Sequence, residues 1–360
     1  MIKNISIIGL GLIGGSIAKS LRNSGLVFKI SAYDKEDILN LAFEEKTIDE
    51  KLNSVEDALN SDLIFISLPI SQALEAFNKL APKINPGQIL TDVCSVKYIF
   101  QKNWEMLNTG KGIYIGGHPM AGKEKGGYEN SDPLLFQNSV YIVTEDLTDN
   151  NKFTNFREII EIFGANLLYI PAKQHDVIAA SVSHLPQLIS VALVNTASLK
   201  TDNYNFLDLA AGGFRDMTRI ASSDFEIWES IIETNRSQIL TALDKFSYDI
   251  NLLKNWIEKN NFSQLSGYFE KARISRDEIP QNTKGFLSPL YDIFIFVEDK
   301  PGMISKISTE LYNHGINIKD IELLKIREGT GGTFRLAFES KEQADKAKSL
   351  ISSLGFKFRE

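Results

Sequence analysis

The sequence predicts an α/β chain in three parts. A doubly wound parallel sheet is expected over residues 1–171 and an all-α segment over 172–278. Past a linker at 279–290, a small α+β sandwich follows over 291–360. Three observations carry this. Short Val/Ile/Leu runs alternate with helical patterns in the first part; strand signals vanish in the second; a βαββαβ order, that of the ferredoxin-like sandwich, appears in the third.

Ile5–Ile8, Lys29–Tyr33, Leu63–Ser67, Ile89–Asp92, Tyr114–Gly116, Val140–Val143 and Leu167–Ile170 read as strands. Several are continuous apolar runs, as expected where helices cover both faces of a parallel sheet. Gly9-Leu10-Gly11-Leu12-Ile13-Gly14 follows the first strand directly and opens a helix over Ser16–Ser24. Glycines there permit a tight turn and close backbone approach to a pyrophosphate, which the helix N-terminus then faces. Asp34 closes the second strand, twenty residues past Gly14. A carboxylate at that point accepts from ribose hydroxyls and repels a 2′-phosphate, so the Rossmann fingerprint favours NAD over NADP. The alternative is a glycine turn with no ligand. Ser67 and Pro69 end the next strand on the edge where doubly wound sheets bind ligands, as does Asp92-Val93-Cys94-Ser95.

The uncharged run Val177–Leu199 is long enough to span a bilayer. It also holds Ser181, His184, Pro186, Gln187 and Asn195, which fits a helix buried in protein better than one in lipid. No membrane association is expected. Ser223 with Glu226 reads as a capping box. Ile239, Leu243, Phe246, Ile250, Leu253 and Ile257 then recur at heptad spacing. One helix over 224–260 would be roughly 55 Å long, more than a lone domain requires. The expectation is a second subunit packed on these helices, a homodimer; an intrachain bundle is the alternative. Beyond the linker, Asp299-Lys300-Pro301-Gly302 turns a strand into a helix that ends at Gly315.

The chain has 360 residues, with 39 Lys+Arg against 46 Asp+Glu, a net charge of −7. This acidic balance argues against a nucleic-acid binder, which needs a basic field. The lone cysteine, Cys94, excludes an intrachain disulfide and fits the cytoplasm. With no base specified beside it, it reads as a small packed residue rather than a nucleophile. With four histidines there is little material for a metal site, and none is expected. No signal peptide is read at the N-terminus.

Gly116-Gly117-His118-Pro119-Met120-Ala121-Gly122 carries the chemistry. A histidine held by glycines and proline after a strand presents a neutral imidazole to a cleft. It can take a hydroxyl proton while hydride leaves the same carbon. A hydrogen-bonded structural histidine is the competing reading.

Several stretches together resemble the prephenate/arogenate dehydrogenases of tyrosine biosynthesis. They are Gly9–Gly14 with Asp34, Asp92–Lys97, His118–Glu124, Ser183–Pro186 and Gly212–Ala221. The tail, with Asp299–Gly302, looks like an ACT regulatory domain. The resemblance covers essentially the whole chain. It implies NAD-dependent oxidation of prephenate to 4-hydroxyphenylpyruvate with loss of CO2, or the same chemistry on arogenate. His118 would be the base and Ser95 its partner at the ring hydroxyl. Arg219 and Arg215 would hold the dianionic substrate, with Glu124 and Asp216 as acidic residues that pair with the arginine and gate entry. His184 and Gln187 would meet the substrate side chain. Some relatives have a second histidine where this chain has Gln187, which leaves prephenate versus arogenate open. In the ACT-like module, Asp299, Gly302 and Asn317 are the candidate contacts for a tyrosine effector; dimerisation alone is the alternative.

His175, beside Asp176, and His314 read as structural. A non-catalytic NAD-sensing regulator is the rival from another class. A generic β-hydroxy-acid dehydrogenase is disfavoured because no lysine lies between Lys173 and Lys200. A monofunctional chain, with no chorismate mutase segment attached, is expected.

Overall fold

The computed structural model describes residues 2–107, 112–123, 125–145, 153–201, 203–278, 290–327 and 331–358. Eight strands form the first sheet: β1 (Asn4–Ile8), β2 (Lys29–Tyr33), β3 (Glu50–Lys51), β4 (Leu63–Ile66), β5 (Ile89–Asp92), β6 (Ile113–Pro119), β7 (Val140–Val143) and β8 (Asn166–Tyr169). Their order is β3-β2-β1-β4-β5-β6-β7-β8. Every neighbouring pair is parallel except β6 with β7. The strand order reverses between β1 and β4, and doubly wound sheets bind ligands at that switch point.

Helices α1 (Leu12–Asn23), α2 (Glu36–Glu44), α3 (Ile70–Leu80), α4 (Tyr98–Leu107) and α5 (Thr154–Ile162) cover both faces. Successive strand residues feed opposite layers. Ile7, Leu63 and Phe65 pack with Ile17, Leu21 and Phe156 in one cluster; Ile8, Ile64 and Ile66 pack with Phe77 and Phe100 in the other. This is why the strands are apolar without alternation.

The helical segment comprises α6 (Ala172–Ala179), α7 (Leu185–Ala197), α8 (Gly212–Thr218), α9 (Phe225–Thr234), α10 (Arg236–Glu258) and α11 (Phe262–Asp277). A π turn at Ala180–His184 joins α6 to α7. Ala180, Ile231, Ile239 and Ala242 join the second sheet-face cluster. Sheet and helices therefore share a core, and Met1–Leu265 forms one compact unit. The run Ala172–Ala197 is long and apolar enough to cross a bilayer by length and composition, and 28% of its most apolar window is buried.

Two expectations here are corrected. The single helix over 224–260 is broken at Asn235 (φ −109°, ψ 23°). The Asn235 side chain is committed to tertiary bonds, donating to the Asp176 carbonyl at 2.8 Å. Nor is Ser223 a capping residue: its hydroxyl donates back to the Ile220 carbonyl, and Asp224 stands at the N-cap with no side-chain cap bond. The heptad seam is real but unevenly covered. Ile239 is buried, whereas Ile250 and Ile257 are exposed.

The second compact unit is Ser266–Glu360. It contains β9 (Tyr291–Val297), α12 (Met303–Asn313), β10 (Asp320–Arg327), β11 (Gly331–Phe338), α13 (Lys341–Ser353) and β12 (Lys357–Phe358). The sheet order is β10-β11-β9-β12, antiparallel throughout. Ile293, Ile295, Val297 and Leu336 meet Ile307, Leu311 and Ile351 in its core. The predicted linker falls almost wholly outside the described residues.

Candidate active site

The glycine turn is built as its sequence requires. Gly9 has φ +96°, and a Cβ there would lie 2.4 Å from the Ser67 carbonyl oxygen; one on Gly14 would lie 1.9 Å from the Gly9 carbonyl oxygen. Gly11, the N-cap of α1, faces open space and no side chain caps the helix. The amides of the first turn, at Leu12, Ile13 and Gly14, are therefore unblocked by any cap. Asp34 Oδ2 accepts from the Leu10 N–H at 2.5 Å, and Oδ1 accepts from Lys35 N–H at 2.6 Å. Each oxygen keeps a further lone pair for a ribose hydroxyl. A cleft of about 360 Å³ opens beside it, lined by Asp34, Lys35, Val55, Leu68 and Gln72. Ser67 and Pro69 lie on the same edge, between β4 and α3. These residues fit NAD.

His118 lies further along this carboxyl edge, but inside β6 rather than after it, paired antiparallel with Ile142. The preceding glycines look like a strand end in sequence. They are instead demanded by packing: a Cβ on Gly117 would sit 2.7 Å from both the Asp92 carbonyl oxygen and the Tyr141 hydroxyl.

The His118 ring is held by residues remote in sequence. His118 Nδ1 lies 2.8 Å from His175 Nε2, and His175 Nδ1 lies 2.8 Å from Asp176 Oδ1. Asp176 Oδ1 also accepts from Lys97 N–H at 2.8 Å, and Oδ2 from Tyr98 N–H at 2.9 Å. A carboxylate can only accept. That assigns the tautomers in turn: His175 donates from Nδ1, so its Nε2 accepts; His118 donates from Nδ1, so its Nε2 lone pair is left for a substrate proton. Burial, then the neighbouring His175, Lys97 and His184, holds the His118 imidazole well below its ordinary pKa, so it is neutral near pH 7.

His175, read from the sequence as structural, is hydrogen-bonded to the His118 ring. The adjacent His-Asp pair at a helix start was the only signal for it. Asp92 and Lys97 delimit a stretch that the sequence marked as a candidate, but their pairing was not foreseen. Both side chains are fully buried and ion-paired, and the Asp92 Oδ2 atom accepts from the Tyr114 hydroxyl at 2.7 Å. Cys94 is buried, and burial followed by Asp92 raises its thiol, which stays protonated as a packed residue.

His184, on the π turn, is buried with Nδ1 3.3 Å from Asn235 Nδ2 and its ring edge-on to Trp228 at 6.0 Å. Burial brings its pKa down to about 4. Gln187 is buried one turn along α7. Arg215 and Asp216 on α8 and Arg219 just after it are exposed. Ser95 is half-buried on the loop after β5, with no hydrogen bond to His118 among the described residues. Glu124 lies outside the described residues. In the second unit, Asp299 lines a cleft of about 220 Å³ with Met303, Gly331 and Phe334; Gly302 and Asn317 are exposed and do not line it.

A dinucleotide cradle at the switch point, with a neutral imidazole farther along the same sheet edge, defines a nicotinamide-dependent dehydrogenase. Residues 17–169 match the prephenate dehydrogenase nucleotide-binding domain, 171–271 the prephenate dehydrogenase dimerization domain and 291–356 the ACT domain. The chain is 33% identical over 353 residues to the prephenate dehydrogenase of Lactococcus lactis subsp. cremoris, covering 97% of each. It resembles the crystal structure of prephenate dehydrogenase from A. aeolicus in complex with hydroxyphenyl propionate and NAD+, with TM-score 0.70 and 33% identity over 78% of this chain and 99% of that one. Synechocystis arogenate dehydrogenase follows, with TM-score 0.68 and 28% identity over 76% and 99%. The chain belongs to the prephenate dehydrogenase family, and its cofactor is NAD.

Proposed function

We propose that the chain oxidises prephenate to 4-hydroxyphenylpyruvate, releasing CO2. The observation that carries this is the Asp176–His175–His118 hydrogen-bond chain, which leaves Nε2 of a neutral imidazole as a proton acceptor. Bound at the glycine turn, NAD supplies the hydride acceptor. His118 takes the ring hydroxyl proton as the carbinol carbon gives up its hydride, and His175, backed by the Asp176 carboxylate, stabilises the imidazolium that forms. Ser95 orients the same hydroxyl. The product dienone is a vinylogous β-keto acid, so decarboxylation into the ring follows with aromatisation as its driving force.

Arg219 and Arg215 grip the substrate carboxylates, a task suited to a guanidinium fork. Asp216 and Glu124 shape the entry around them. His184 and Gln187 meet the side chain as neutral groups, which suits a keto acid. The expected result is NADH formation from prephenate and NAD, with kcat/KM lower for arogenate. A higher value for arogenate would reassign the substrate, and NAD binding without turnover on either would make the chain a sensor. Tyrosine is proposed as the effector of the ACT module, near Asp299, Gly302 and Asn317, and the same assay with added tyrosine tests it.

The working form is proposed to be a homodimer. Val177, Ile178 and Val182 on α6 and its π turn are exposed, as are Ile250 and Ile257 on α10. Burying such side chains is worth roughly 1.5–3 kcal/mol each. Ile250→Glu with Ile257→Glu should convert a dimer to monomers by sedimentation equilibrium. An unchanged dimer mass would place the interface elsewhere.

A further inference from the structure

No contact of the Lys97 side chain with a reacting atom has been invoked so far, yet its surroundings are costly. Its side chain and that of Asp92 are both fully excluded from water. Taking two such ions out of water carries a penalty of several kcal/mol each, and an apolar pair of similar volume is often as stable. Strand pairing does not require the charge either. β5 and β6 already form a backbone ladder from Ile89 with Ile113 to Asp92 with Gly116. Past Gly116, β6 leaves β5 and pairs with β7, starting at Gly117 with Val143.

At that departure point Lys97 Nζ donates to the Gly117 carbonyl oxygen at 2.6 Å, and it is pinned in place by the Asp92 carboxylate. Asp92 is in turn fixed by the Cys94 N–H at 2.9 Å and the Tyr114 hydroxyl at 2.7 Å. The Gly117 carbonyl belongs to the peptide that carries the His118 nitrogen. The backbone N–H of the same lysine donates to Asp176 Oδ1, at the far end of the imidazole chain. One residue therefore touches both ends of the base assembly: the strand that carries His118 and the carboxylate that sets its tautomer.

We infer that Lys97 is a positioning residue for His118, its buried ammonium fixing the Gly117–His118 peptide while its backbone N–H fixes Asp176. This rests on the reading of His118 as the base. Position matters on this scale, because small misplacement of a reacting group costs up to about 10²-fold in rate. The ammonium has a second effect, since a fixed positive charge disfavours a nearby imidazolium. The groups that act on the His118 ring are His175 on α6, His184 on the π turn and Lys97 after β5; behind them stand Asp176, bonded to His175, and Asp92 with Tyr114, bonded around Lys97. Lys97 is the one fixed cation among them.

The test uses the full-length enzyme with NAD and prephenate. Lys97→Met is expected to lower the single-turnover rate of NADH formation by roughly 10- to 100-fold, leave KM for both substrates unchanged, and move the acid limb of kcat/KM to higher pH. Because Lys97→Met strands a buried carboxylate, Lys97→Met/Asp92→Asn removes both charges of the pair and should show the same rate loss. Folding is checked by melting temperature. A folded variant of either kind that turns over like the wild type overturns the inference, as does a lowered melting temperature with unchanged rate and acid limb. His118→Asn separates the two readings. If it still turns over, the base assignment fails; if it is dead while the Lys97 variants are fast, only the positioning role fails.

Discussion

His118→Asn is expected to lower the rate of NADH formation from prephenate by roughly 10²–10⁴-fold, the usual contribution of a positioned general base. NAD affinity should not change, because the glycine turn and Asp34 are separate from this ring. Asp176→Asn should also slow the reaction, by up to the same factor, although it touches no substrate. Asp176 Oδ1 serves both His175 and the Lys97 N–H, and Oδ2 the Tyr98 N–H, so in either orientation the asparagine NH2 faces a backbone N–H. With its oxygen at the Oδ1 position the tautomers survive and only the charge behind the imidazolium is lost; with its NH2 there it donates where the carboxylate accepted. His175 Nδ1 would then accept, His175 Nε2 would donate to His118 Nδ1, and His118 would present an N–H to the hydroxyl whose proton it must remove. Reversal of an imidazole tautomer by this substitution costs about 10⁴-fold in a well-studied hydrolase triad. Asp176 also accepts the backbone amides of Lys97 and Tyr98 at the start of α4, so stability is expected to fall by about 1–2 kcal/mol as well. Stopped-flow absorbance at the NADH band, on protein shown to be folded at the assay temperature, separates the two effects. A His118→Asn enzyme as fast as the wild type would remove the mechanism altogether.

What the sequence showed and what it hid follow from the range of the interactions. The cofactor turn is local. Gly9 and Gly14 must lack a Cβ because the chain passes within 2.4 Å and 1.9 Å of where it would stand, and such demands leave a spaced motif. The His118 stretch is legible for the same reason, although its glycines were read as the end of a strand that in fact continues through them. The rest of the base assembly is not local. His118 and His175 are 57 residues apart, and Lys97 and Asp176 are 79 apart; they meet only because α6 packs beside α4. Nothing in the periodicity of either helix announces that contact. Asn235 shows the same limit from the other side. The single helix expected over 224–260 runs straight through it, yet its amide is spent on the Asp176 carbonyl and His184, and the helix breaks there. Arg215 and Arg219, both exposed, were legible only as matches to a family motif.

Acid should weaken the fold through its buried imidazoles, while the base keeps working to a lower pH than a free imidazole would. Burial holds both His118 and His184 below the ordinary imidazole value of 6.5, His184 at about 4. In the unfolded chain both would titrate near 6.5. Between those values the unfolded state binds more protons than the folded one, so stability is full above about pH 6.5 and falls as pH drops toward the folded values. For His184 the interval from 6.5 to about 4 corresponds to about 3 kcal/mol lost by pH 4, and His118 adds in the same direction. Urea midpoints measured from pH 7.5 down to pH 4.5 should show this slope, and His184→Gln should remove part of it, since a glutamine has no proton to bind. The acid limb of kcat/KM should lie below the ordinary imidazole range, because the base stays unprotonated there. A midpoint that is flat over this range, or an acid limb at or above 6.5, would mean that water reaches these rings freely. The tautomer chain would then no longer be held in the form that catalysis needs.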